Sequence, residues 1–115
     1  MVHGTFPIVG IGRSGLSGLV QVSHSGNGFV ATVSVRGLPI GMATAHAVHI
    51  HLGSCANPYG GMHLTVLGIL GTSAAGTGSL SAPLAGIYVS SGRYVIIYAG
   101  LAARVIVGCA NLAAL

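Results

Sequence analysis

The chain has 115 residues, enough for one domain with a real core and well short of two. It carries four basic residues, all arginine, and no aspartate or glutamate, so charged residues are 3% of the chain against roughly 25% in ordinary soluble domains. Without a single side-chain carboxylate there is no carboxylate dyad, no Ser-His-Asp triad, no calcium or magnesium site of side-chain carboxylates and no ordinary salt bridge.

Apolar residues make up 52% of the sequence, yet the run free of arginine and histidine from Leu64 to Gly92 is broken by Gly71-Thr72-Ser73, Gly76, Gly78 and Pro83. No stretch is apolar over the ~18 residues a membrane helix needs, so no transmembrane segment is expected. No n-region, h-region and cleavage-site pattern opens the chain, so any export leader is expected to have been removed already. The net charge of +4 rests on Arg13, Arg36, Arg93 and Arg104, which are scattered and not interleaved with aromatics. Nucleic-acid binding is therefore not expected.

Twenty glycines, four prolines and abundant Val, Ile, Thr and Tyr point to short strands and tight turns. After a loosely patterned opening, with Met1 to Gly12 read as an extended arm, Gly15 to Ser23 reads as the first firm strand, with Val20 and Val22 on one face. Ser25-Gly26-Asn27-Gly28 is a hairpin signal. Phe29 to Arg36 alternates, sending Phe29, Ala31, Val33 and Val35 inward. Gly37 to Gly41 breaks the chain before the strand Ala45 to Leu52. Further strands are predicted near Met62 to Leu70, Ser79 to Leu84, Arg93 to Ala99 and Arg104 to Cys109. Tyr94, Ile96 and Tyr98 alternate with Val95, Ile97 and Ala99, so this strand reads apolar on both faces and predicts an additional, partner surface covering the outer one. Seven or eight short strands at such spacing define an all-β class, an antiparallel sandwich of immunoglobulin-like or Greek-key type in a single domain spanning residues 1–115.

The chemistry concentrates in Ala45-His46-Ala47-Val48-His49-Ile50-His51-Leu52-Gly53-Ser54-Cys55, which holds three of the six histidines and one of the two cysteines. On a strand, His49 and His51 share a face, roughly 7 Å apart at ~3.3 Å rise per residue. That spacing suits one ion, and imidazole favours copper, zinc, nickel or iron. It equally suits two half-exposed strand histidines without a ligand. His46 falls on the opposite face from His49, and His3 and His24 read as surface residues near strand ends. Cys55 and Cys109 lie too far apart in sequence for a zinc ribbon or a Cys-x-x-Cys motif. Either they are two buried thiols, or a disulfide ties the exit loop of the histidine strand to the last strand. Such a closure is worth roughly 4 kcal/mol on the chain-entropy account and belongs to an oxidising compartment.

Val33-Ser34-Val35-Arg36-Gly37-Leu38-Pro39, the stretch His46 to Cys55, Tyr94 to Gly100 and Gly108-Cys109-Ala110-Asn111-Leu112 together resemble the copper/zinc superoxide dismutase superfamily, above all its small exported superoxide-dismutase-like (CHRD-like) members. The likeness covers roughly residues 15 to 112. It implies an eight-stranded Greek-key sandwich and a disulfide from Cys55 to Cys109. It also implies that His49 and His51 match two copper ligands and His63, in Gly60-Gly61-Met62-His63, the bridging histidine. Tyr98, in Ile97-Tyr98-Ala99-Gly100, stands where the family has its last copper histidine. The family's zinc site needs an aspartate, and none is present, so copper is the only metal the likeness carries over. No secure match exists for the family's substrate-guiding arginine, which would be sought at Arg104.

Two functions follow as expectations. Apolar two-faced strands and a nearly chargeless exterior favour an exported, extracellular structural subunit, not an enzyme, that self-associates into a fibre or other polymer by strand addition. The alternative is a copper-dependent superoxide dismutase of reduced type, or a module that binds copper without turnover.

Overall fold

A computed structural model describes residues 4–38 and 44–112. Eight strands follow one another: β1 (Gly4–Gly10), β2 (Ser17–Ser25), β3 (Gly28–Arg36), β4 (Ala45–Leu52), β5 (Met62–Gly71), β6 (Gly78–Leu84), β7 (Arg93–Tyr98) and β8 (Ile106–Leu112). A 3-10 turn, Gly86–Tyr88, precedes β7. All named pairings are antiparallel, in the order β5-β4-β7-β8-β1-β2-β3-β6.

The ribbon folds into two layers because β1 belongs to both. Its residues Gly4 to Ile8 pair with β2, and Val9 and Gly10 pair with Cys109 and Gly108 of β8. On the far side a single bridge, Thr72 to Gly78, nearly closes the seam between β5 and β6. With β4, β5 and β6 neighbours in turn and β7 returning beside β4, the order is that of a Greek key. The antiparallel all-β sandwich expected from the alternation is the fold observed.

Period-two alternation explains the core. Val20 and Val22 from β2 and Phe29, Ala31, Val33 and Val35 from β3 are buried, facing Val48 and Ile50 of β4, Val95 and Ile97 of β7 and Leu70 of β5. The β2–β3 hairpin turns in two residues, Ser25 opposite Gly28. Gly26 sits at φ 60° while Asn27 is not left-handed, the arrangement in which glycine occupies the first central position of a II′ turn.

Three expectations are corrected. The opening is no free arm: residues 1–3 lie outside the described residues, and Gly4–Gly10 is an integral strand with a partner on each side. The last strand starts at Ile106 and runs to Leu112, later than the predicted Arg104 to Cys109, because Ala103 turns left-handed and Ala99 N–H donates to the Val105 carbonyl, closing a loop ahead of it. Most consequential, the outer face of β7 is covered by the chain itself. Tyr94, Ile96 and Tyr98 are buried in a second cluster with Ala47, Ile106 and Cys109, against which Ile11 and Cys55 pack. The loop 53–61 lies across this face: Tyr94 Oη donates to the Pro58 carbonyl at 2.7 Å, and Tyr59 Oη accepts the Ile106 N–H at 2.9 Å. The two-faced apolar character of β7 therefore needs no partner subunit.

The cysteines fasten that cover. Cys55 and Cys109 form a disulfide with Cα atoms 5.9 Å apart, and the Cys55 N–H donates to Asn111 Oδ1 at 2.7 Å. Replacing both cysteines by serine is expected to lower the unfolding free energy by about 2–5 kcal/mol. Chemical denaturation under non-reducing conditions measures this, and an unchanged midpoint would show that the loop holds without its bond.

Candidate metal site

On β4 the interior positions are His46, Val48 and Ile50, and the outer ones Ala47, His49 and His51. His46 is fully buried and belongs to the frame. Its Nδ1 lies 2.8 Å from the Tyr98 carbonyl, which can only accept, so Nδ1 carries the hydrogen. Its Nε2 meets Thr72 Oγ1 at 3.0 Å. One imidazole thus ties β4 to the end of β7 and to the residue that closes the β5–β6 seam. Both nitrogens are engaged, so His46 is not available as a ligand.

His63 reaches the outer face through two irregularities of register. β4 and β5 pair Ala47 with Ile69 and Val48 with Gly68, a register that would place Thr65 opposite His51. Shifts between Val48 and His49 and between Ile50 and His51 each add one residue to β5, so that His51 instead faces His63. Bulges commonly re-aim a side chain in this way. The same shifts turn Leu67 inward and leave Val66 outward beside His49.

The result is a cluster of three imidazoles. His49, His51 and His63 each offer one nitrogen, all within 4.8 Å of one another. Ring centroids lie 4.7 Å apart for His49 and His63, 5.3 Å for His51 and His63, and 6.0 Å for His49 and His51. His63 is exposed and the other two half-buried. Tyr98 stands edge-on to His49 at 5.0 Å and Tyr94 edge-on to His51 at 5.7 Å.

Both ring nitrogens of His51 are buried without a well-formed hydrogen bond. A buried polar atom left unpaired costs about 1–3 kcal/mol, and such atoms are rare in folded proteins. Burial lowers the pKa of His49 and of His51 from the ordinary value of 6.5; His63 lowers both further, His51 adds to the effect on His49, and the Gly61 backbone opposes it at His51. These shifts favour neutral imidazoles, the form that donates to a metal. The residues present therefore fit a metal of the imidazole-binding class. Tyr98 differs from a ligand in kind: burial, then Tyr94 and Tyr59, raise its phenol pKa and keep it protonated.

Of the remaining residues named from the sequence, His24 lies exposed on β2, in the sheet away from the cluster, with its ring 4.6 Å from that of its cross-strand partner Phe29. Arg104 is exposed in the loop before β8, and His3 lies outside the described residues. Sequence reasoning missed Tyr94, which it read as packing alone. The signal available was its position opposite His51 once β4 and β7 are paired. The chain matches no family model and no curated protein.

The pKa shifts fix the sign of a pH effect. In the unfolded chain His49 and His51 take up protons near pH 6.5, whereas the folded chain binds them only at lower pH. The metal-free protein keeps its full stability above that value, loses some as pH falls through it, and levels off once the folded state is protonated too. Thermal melts between about pH 7.5 and about pH 5 should show this decline, and His49→Asn should flatten it. An equal decline in wild type and variant would refute the assignment.

Proposed function

We propose that this protein is an exported copper-binding module on a superoxide-dismutase-like sandwich, holding one ion with His49, His51 and His63. The observation that carries the reading is the pair of buried His51 nitrogens that lack a well-formed hydrogen bond, within a cluster of three imidazoles. Further support comes from the eight-stranded Greek-key order and from the disulfide between the post-histidine loop and the final strand, both of which the resemblance implies. A chain with no carboxylate offers only nitrogen donors here, which favours copper over hard cations. An intramolecular disulfide is compatible with export, and no helix among the described residues is long and apolar enough to cross a membrane.

Copper held there would supply a one-electron couple. What the chain adds is a half-buried imidazole set, with a neutral phenol where the resemblance has a fourth histidine. This favours holding the ion over efficient superoxide dismutation. Titration of the full chain with copper, in a His3→Ala background, should saturate at one equivalent, and His51→Ala or His63→Ala should each weaken binding by at least about tenfold. Binding indifferent to both replacements would overturn the reading. A dismutation assay on the loaded protein is expected to give little turnover. Activity lost on His49→Ala or His51→Ala would instead make the protein a reduced superoxide dismutase.

A second reading, self-association into a polymer, is favoured by β5. It is an edge strand closed by a single bridge, it bears no charged side chain other than a protonatable histidine, and it exposes Met62, Val66 and Ile69. Edge strands of this kind invite pairing with another chain. Sedimentation velocity should then show association that Ile69→Lys suppresses; a monomer at every concentration removes this reading.

A further inference from the structure

We infer that Tyr94 is a positioning residue for the histidine cluster, a buried phenol that sets His51 and His63 together by holding the backbone of the loop 53–61. The inference rests on the copper-binding reading for its consequence, but its geometry is a property of the metal-free chain. Tyr94 is wholly buried on the outer face of β7, directly opposite His51 in the β4–β7 register. Its ring stands edge-on to the His51 imidazole at 5.7 Å.

The hydroxyl spends both of its functions on one loop. It donates to the Pro58 carbonyl at 2.7 Å and accepts the Gly61 N–H at 3.1 Å. A carbonyl only accepts and a peptide N–H only donates, so the direction of both bonds is fixed. Gly61 is the residue that matters for the site. It lies two positions before His63, at the entry to β5, where His63 pairs with His51. One hydroxyl therefore fixes the backbone that launches the strand carrying His63 opposite His51.

The loop is shaped to admit this ring. A Cβ on Gly53 would meet Tyr94 Cε1 at 3.3 Å, and one on Gly61 would collide with Tyr94 Oη and the Leu52 carbonyl. The loop passes close over the phenol at both of its ends, and any larger residue at 61 would drive it away. Phenylalanine would fill the same volume yet leave the Pro58 carbonyl and the Gly61 N–H without their partner. Groups that orient a ligand in this way typically govern metal affinity by about 10–100-fold. A residue serving the fold alone would change stability and leave the imidazoles where they are.

Tyr94→Phe in the full chain separates the two. In the metal-free protein, amide exchange at Gly61 should speed up and the imidazole NMR signals of His51 and His63 should move, with those of His46 unchanged. Copper affinity should fall by about 10–100-fold relative to wild type. Unmoved His51 and His63 signals with unchanged affinity, even alongside a lower melting temperature, would overturn the proposal. If wild type binds no copper, the copper-binding reading fails by itself, and the metal-free imidazole and amide signals still decide the role of Tyr94 in either direction. Should Tyr94→Phe not fold, 3-fluorotyrosine at position 94 perturbs the same hydroxyl without changing the ring's fit, and the same signals are read.

Discussion

The fold turns on how a chain with almost no charge hides the outer face of one sheet. β7 has apolar residues on both sides, and a two-layer sandwich buries only one of them. The loop 53–61 covers the other, held by the Cys55–Cys109 disulfide, by Asn111 on the Cys55 N–H and by Tyr94 on Pro58 and Gly61. That cover makes a second cluster of Tyr94, Ile96, Tyr98, Ile106 and Cys109. It also ends where β5 begins, so the segment that shields the sheet also delivers His63. Structure and site share one fastening.

The absence of acids gives the cluster its character. Elsewhere a metal-binding imidazole commonly donates its second N–H to a carboxylate, and this sequence has none to give. The buried His46, which is not a ligand, shows how the frame manages without one: its Nδ1 donates to the Tyr98 carbonyl and its Nε2 meets Thr72 Oγ1. Partial burial, and then the neighbouring imidazoles, favour neutral His49 and His51. Three imidazole donors differ from the ring of carboxylates that would select calcium or magnesium.

Much of this was legible in the residues, and the parts that were not have definite physical causes. Alternation in Phe29 to Arg36 and in Ala45 to Leu52 placed the core and put His49 and His51 on one face, since a strand's period of two leaves little choice. Gly26-Asn27 announced its hairpin by local chemistry. The company of His63 was suggested only by resemblance, because two extra residues in β5 realign the register and no local pattern marks them. Apolar character on both faces of β7 implied a cover on both sides, but the outer cover is the chain's own loop and not the expected partner. It could not say whose cover, since a loop's path is set by distant contacts such as Tyr59 on Ile106. The opening segment was misjudged for a related reason: β1 alternates weakly, yet β2 and β8 hold it on either side.

The account stands on a metal held between β4 and β5 on the sheet's outer face. Crystals grown with copper and measured at its absorption edge test this most directly. A single anomalous peak bounded by His49, His51 and His63 is the predicted result. Copper bound elsewhere on the chain, with those three imidazoles bearing no peak, would contradict it.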